Sequence, residues 1–300
     1  MNSEPIRSPL VDTLLARCTF PPPGTAVHCA VSGGPDSMAL LVLAVAHGLD
    51  VTAVHVDHSI RPGSARDAEL IAPVAARLGA KFVTRTVTVE PGPNLEARAR
   101  QARFAALPPG SMTGHTADDQ AETVLINLLR GAGARGLSGM RPGPTKPLLA
   151  LRRADTRAVC AALDIAVVED PMNDDPRFQR TRIRKELLPL LDHIAGRDVA
   201  AVLARQADIM RDDDATLEEF AAGLDPTDAR ALVAAPAALA RRALRRWLAD
   251  PYPPDVATLE RVLDVARGNA LACDIGAHRQ VRRSQQRLRI EHIGDAQEHR

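Results

Sequence analysis

Ser32-Gly33-Gly34-Pro35-Asp36-Ser37 separates an apolar run, Ala26 to Val31, from a helical stretch, Met38 to Ala46. Strand, glycine turn and helix in that order form a cradle for phosphate. The glycines let the backbone turn tightly and bring its N–H groups close to anionic oxygens. Ser32 and Ser37 add hydroxyl donors, and the helix N-terminus adds partial positive charge. Asp36 in the same turn repels a phosphate unless a divalent cation lies between them, so the loop implies Mg²⁺.

No Gly-Lys-Ser/Thr follows the glycines, so this is not a Walker A loop. The segment resembles the SGGxDS loop of the PP-loop ATP pyrophosphatases. That resemblance implies ATP as the bound nucleotide, cleaved to AMP and pyrophosphate, with Ser32, Gly33, Gly34, Pro35, Asp36 and Ser37 around the phosphates.

Further β–α alternation follows the loop. Strands are expected at Val51 to Asp57, Lys81 to Val89, Ser111 to Gly114 and Ile165 to Val168. Helices are expected at Ser64 to Leu78, Asn94 to Leu107, Ala117 to Leu129 and from Asp155, with a long Gly/Pro-rich loop from Gly131 to Pro147. The fold class is therefore α/β, a doubly wound parallel sheet with ligands at the carboxyl ends of its strands. From about Arg182 the alternation gives way to helices, and a small hairpin is expected around Gly276. The expected domains are residues 1–195, catalytic, and 196–300, a linker helix with a smaller, mainly helical domain.

The formal charge of +1 says little, but from Arg241 to Ile290 eleven arginines stand against five acids. A polyanionic partner suits that stretch. Aromatic residues make up only 2% of the chain, which argues against a broad base-stacking platform. Cys18, Cys29, Cys160 and Cys273 are scattered and read as small buried hydrophobes in a reducing compartment. No apolar run reaches the ~18 residues of a membrane span, so a cytoplasmic protein without membrane contact is expected.

Two more strand ends carry chemistry. Val56-Asp57-His58 closes the second strand, where Asp57 and His58 face the nucleotide crevice. Gly114 to Thr123 (GHTADDQAET) again joins a strand to a helix. Asp118 and Glu122 share a face at i and i+4, and Asp119 and Glu122 at i and i+3. With His115, these acids suit Mg²⁺ or an amine substrate, and Asp36 with Asp119 is the metal pair chosen. Gly131 to Gly136 is formally GxGxxG but follows a helix, so it is no dinucleotide fingerprint. Glu96, Arg100 and Arg103 lie around one helix face. Arg177, Arg180, Arg182 and Arg184 come in close order, and arginine forks of this kind recognise phosphate, whether of ATP or RNA.

In order along the first two hundred residues, SGGPDS, VDHSIRPGSARDAE, NLEARARQARF, GHTADDQAETVLINLLRGAGARGLSGM, KPLLALRR and NDDPRFQRTRIRKELLPLL resemble the tRNA(Ile)-lysidine synthetases. The last hundred residues are similar, less specifically, to that family's smaller substrate domain. The resemblance implies an adenine nucleotide alpha-hydrolase-like fold. It also implies ATP-dependent adenylation of the C2 oxygen of the wobble cytidine in a CAU-anticodon tRNA(Ile). Free L-lysine then displaces AMP through its ε-amine. Asp118, Asp119 or Glu122 would hold or deprotonate the lysine, and Arg100 or Arg103 would stabilise phosphate charge. Arg282 and Arg283 are candidates for RNA contact. The assembly state stays open, with a homodimer among the arrangements the sequence permits. A PP-loop tRNA cytidine thiolase is the nearest rival, which the scattered cysteines oppose; a non-catalytic, nucleotide-gated RNA-binding protein is the other.

Overall fold

A computed structural model of the chain describes residues 7–57, 64–88, 95–168, 175–250 and 252–293. The side chains of residues 64–66, 95–97, 99, 100 and 103 lie outside that description. Contacts divide the chain into two compact units, Met1–Ile209 and Met210–Arg300.

The first unit begins with α1 (Pro9–Leu15), β1 (Ala26–Ala30), α2 (Pro35–Ala46), β2 (Asp50–Asp57), α3 (Ser64–Arg77), β3 (Lys81–Thr86) and α4 (Leu95–Ala106). It continues through α5 (Ala117–Leu129), α6 (Ala134–Leu137), α7 (Arg153–Ala162), α8 (Gln179–Arg182), a π-helical turn (Ile183–Leu187) and α9 (Leu188–Ala195). α10 (Val199–Ala222) runs across the division into the second unit.

β1, β2 and β3 form a parallel sheet in that order, with Ala30 opposite Val54 and Val54 opposite Val83. Ala53 to Val56 are buried without a break, the signature of a parallel strand covered on both faces. β3 is an exposed edge whose Lys81 and Arg85 discourage further pairing. Every residue from Ser37 to Ala44 is buried, so α2 is the core helix of this unit, packed among Val11, Leu14, Ile71, Leu148 and Val159.

Two expected strands are corrected. Ser111 to Gly114 contributes one parallel bridge, Met112 to Cys29, in which Met112 N donates to His28 O and Met112 O accepts from Ala30 N, while the Thr113 N–H donates to Thr145 O at 2.9 Å. Ile165 to Val168 is not a strand: Ile165 N bonds Cys160 O and closes the end of α7, with Asp164 at φ +47°. Val168 reaches the phosphate loop, its N donating to Gly33 O at 2.9 Å. The expected loop from Gly131 to Pro147 contains α6 and is stapled down. Buried Gln120 bonds both backbone groups of Met140 (3.0 and 2.7 Å), and Asn127 Nδ2 donates to Gly136 O at 2.7 Å.

The second unit holds α11 (Ala229–Ala234), α12 (Ala237–Trp247), α13 (Val256–Arg267) and the strands β4 (Ala272–Gly276), β5 (Arg279–Ser284) and β6 (Arg287–His292). The expected hairpin is a three-stranded antiparallel sheet, β4-β5-β6. Val281 and Leu288 turn inward against Leu244, Leu259 and Val262. Arg282, Arg287 and Arg289 are exposed, and Arg282 stands directly opposite Arg289.

Candidate active site

The Ser32–Ser37 turn is braced from within. Ser37 Oγ donates to Gly34 O at 2.9 Å and accepts from Ser32 N at 3.1 Å, with Ser32 Oγ 3.3 Å away. Gly33 has φ +86°, and a Cβ there would lie 2.6 Å from Val168 Cγ2, so only glycine fits. Gly34 differs: its φ is −68°, and a Cβ would meet nothing nearer than Ser32 Oγ at 3.8 Å. The space over Gly34 is open, as an anion cradle requires. Pro35 sits in the first turn of α2, where its missing N–H costs nothing.

The turn that opens α5 is pressed onto the first. A Cβ on Gly114 would come within 2.5 Å of Asp36 O and 3.0 Å of Ser37 N. Glycine at 114 therefore lets the start of α5 approach the phosphate turn. Beyond it, Thr116 and Asp119 form a capping box: Asp119 Oδ2 accepts from Thr116 N at 2.9 Å and Thr116 Oγ1 at 3.1 Å. His115 Nδ1 is 2.7 Å from Thr113 Oγ1.

The acids of α5 meet arginines from two other segments. Arg152 grips Asp118 with Nε and Nη2 at 3.0 and 2.9 Å and also pairs with Asp198. Arg153 N donates to Asp118 Oδ2 at 2.7 Å. Glu122, fully buried, receives Arg184 (2.7 and 3.1 Å), Arg180 (2.6 Å) and Arg153 (3.2 Å). Asp119 Oδ1 faces Arg180 at 3.1 Å and Arg153 at 3.3 Å. Burial alone would raise the carboxyls of Asp118 and Asp119, but these partners hold both below their ordinary value.

Asp36 is treated differently. It accepts from the buried hydroxyl of Thr156 on α7, and its nearest cation, Arg153 Nε, is 3.5 Å away. Burial pushes its carboxyl above the ordinary value, and the charge of Asp119 adds to the effect, against Thr156 and Arg153. The anion is thus left short of compensation at the mouth of the phosphate cradle. A divalent cation bound through one or two carboxylates and substrate phosphates fits such a place. Asp36 fits that role better than Asp119, whose oxygens are already engaged by Thr116, Arg153 and Arg180. Among the described residues no group of three or more His, Cys, Asp or Glu forms a protein-only metal cage.

Asp57 lies half-buried at the end of β2, its carbonyl accepting from Val87 N at 2.8 Å. His58 and the side chains of Arg100 and Arg103 lie outside the described residues. The structure thus brings Asp36, Asp118, Asp119, Glu122 and His115 together around the loop. It adds Arg152, Arg153 and Thr156, which the sequence reading did not single out. The paired positive charge that ends KPLLALRR is the sequence signal for Arg152 and Arg153, and Thr156 lies three residues beyond it.

The PP-loop domain model matches residues 11–191, and the TilS substrate binding domain model matches residues 228–289. A tRNA(Ile)-lysidine synthase of Nocardia farcinica is 46% identical over 250 residues, covering 77% of this chain and 78% of that protein. The tRNA(Ile)-lysidine synthase of Rhodococcus erythropolis is 45% identical, covering 75% and 74%. Among solved structures, a U34-tRNA thiolase from Methanococcus maripaludis superposes with a TM-score of 0.51 at 14% identity, over 67% of this chain and 77% of that one. At that identity the likeness concerns the fold.

Proposed function

This chain belongs to the tRNA(Ile)-lysidine synthases, PP-loop enzymes that use ATP to form a carbon–nitrogen bond on a tRNA, and we propose that the Ser32–Ser37 loop and the arginine-laced acids of α5 together build its adenylation site. The observation that carries this reading is the contact of Gly114 with the Asp36 turn, which brings two chemistry-bearing helix starts onto one crevice.

In this reading ATP enters with its phosphates over Gly34 and the N-terminus of α2, and Ser32, Gly33, Pro35 and Ser37 shape the turn. Asp57, His58 and His115 are assigned to nucleotide contact from their sequence positions. Asp36, with Asp119, would hold Mg²⁺, which when bound neutralises phosphate charge and polarises the α-phosphate. The C2 oxygen of the wobble cytidine attacks the α-phosphorus, and the bond to the β-phosphate oxygen breaks, releasing pyrophosphate. That oxygen is a weak nucleophile, so alignment supplies much of the rate. Arg153, Arg180 and Arg184 stand beside the crevice on Glu122, and Arg100 and Arg103 are assigned to phosphate charge as the resemblance implies. The ε-amine of lysine then gives its proton to the acidic end of α5 (Asp118, Asp119 or Glu122) and attacks C2, and AMP leaves with the former C2 oxygen.

The base must be splayed out of the anticodon loop of a CAU-anticodon tRNA(Ile), the usual manner of single-strand recognition. The second unit is assigned to holding the tRNA. Residues 1–195 and 196–300 remain the proposed functional division, in a cytoplasmic protein. Among the described residues no helix is long and apolar enough to cross a membrane. Burial pushes the Cys160 thiol up to about 12, and Cys29 likewise, so neither is a ready sulfur carrier.

Incubation with ATP, Mg²⁺, CAU-anticodon tRNA and labelled lysine tests the assignment. One lysine incorporated per AMP released supports it. Sulfur-dependent modification, or tRNA binding without AMP release, overturns it.

A further inference from the structure

Arg153 occupies an unusual position. Its guanidinium lies among three carboxylates from two helices: Asp36 Oδ2 at 3.5 Å, Asp119 Oδ1 at 3.3 Å and Glu122 Oε1 at 3.2 Å. Its backbone N is fixed by Asp118 Oδ2 at 2.7 Å, so the start of α7 is anchored independently of the side-chain contacts.

The three carboxylates depend on it unequally. Without Arg153, Glu122 keeps Arg180 and Arg184, and Asp119 keeps Arg180 and its Thr116 bonds. Among the described residues, Asp36 keeps only the Thr156 hydroxyl. The Asp36 contact is also the longest of the three, and so the first to yield. We propose that Arg153 is a displaceable counter-ion that holds the cation position at Asp36 until nucleotide and metal arrive together.

The physical reasoning is charge balance in a partly desolvated crevice. A lone divalent ion approaching Asp36 must first overcome the resident guanidinium. A metal–nucleotide complex brings anionic phosphate with it, and a guanidinium exchanges a stretched carboxylate contact for phosphate readily. Arg153 thereby couples entry of the cation to entry of ATP and arrives beside the phosphates as it leaves Asp36.

The inference rests on the proposed reading of Asp36 as a metal ligand, and the test separates the two. Mn²⁺ alone is titrated into the full-length protein and the free ion followed by electron paramagnetic resonance. Arg153→Met should bind Mn²⁺ about tenfold more tightly than the wild type, since one competing charge has gone. Adding Asp36→Asn to that variant should abolish the gain. Arg153→Lys, whose single ammonium cannot span all three acids, should gain about threefold and carries the test if Arg153→Met does not fold. Unchanged Mn²⁺ affinity in the folded variants overturns the proposal. A parallel titration with Mn²⁺ and ATP tests the underlying reading. If Asp36→Asn binds that complex as the wild type does, Asp36 is not a metal ligand and both fail; if it weakens it while Arg153→Met gains nothing, only the counter-ion fails.

Discussion

The starts of α2 and α5 are alike in sequence terms, each a strand end, a glycine turn and an acid in the first helical turn, yet they have opposite electrostatic fates. On α5, Asp118, Asp119 and Glu122 are met by Arg152, Arg153, Arg180 and Arg184, and the two aspartates are held as anions. On α2, Asp36 is half-buried beside one hydroxyl and a guanidinium at 3.5 Å, and its charge is disfavoured. The difference teaches that acids of one cluster divide the work. Those of α5 are engaged by a set of arginines, and the one on α2 has a single, longer guanidinium contact.

The sharpest way to break that comparison is to remove the most heavily paired acid. Glu122→Ala leaves three arginines around an empty buried site and should destabilise the first unit by roughly 3–5 kcal/mol, as loss of one partner from a buried ion cluster does. Denaturant melts check this; a loss below ~1 kcal/mol would mean that Glu122 is not an anchor. Gly114→Ala tests whether the two helix starts must touch. Its Cβ has no room against Asp36 O, and a shift of ~1 Å at the site should slow AMP release about 100-fold.

Acid titration then sharpens the contrast. A carboxylate with a depressed folded-state value stabilises the fold above its ordinary value of 3.8 and loses that contribution as pH falls through the folded value. Asp118→Asn should therefore cost about 1–2 kcal/mol at pH 7, with the gap from wild type closing below pH ~4. The smallest effect on folding is expected in the second unit, where Arg282 and Arg289 face each other on an exposed sheet. Charge reversal at both should change stability by no more than ~0.5 kcal/mol. It should weaken tRNA binding in a salt-dependent manner, measured by filter binding across a salt series.

Much of this arrangement was legible from the chain. Ser32 to Ser37 announced a phosphate turn because its glycines, serines and position between strand and helix serve one physical task. The acids of α5 were legible as a group from their helical spacing. Their division of labour was not, because Arg152 and Arg153 lie more than thirty residues downstream and Asp118 finds them only through folding. The segments at 111–114 and 165–168 misled for a related reason. Their composition suits strands, but the first goes no further than one bridge to β1 before Thr113 ties it to Thr145, and the second is tied to the end of α7 through Ile165 N and Cys160 O. Arg283, grouped with Arg282 from the sequence, turns instead toward Gln286 at 2.6 Å, and it is Arg289 that stands opposite Arg282.

The central claim is that Asp36 is held at a cost to stability for the sake of the reaction. Asp36→Asn tests it in one preparation, with the melting temperature of the ligand-free protein and single-turnover AMP release measured side by side. A melting temperature at or above that of the wild type is expected, because a disfavoured charge has gone, together with an AMP-release rate lower by about 10³-fold. A variant that melts lower than the wild type and still releases AMP at the normal rate would contradict it.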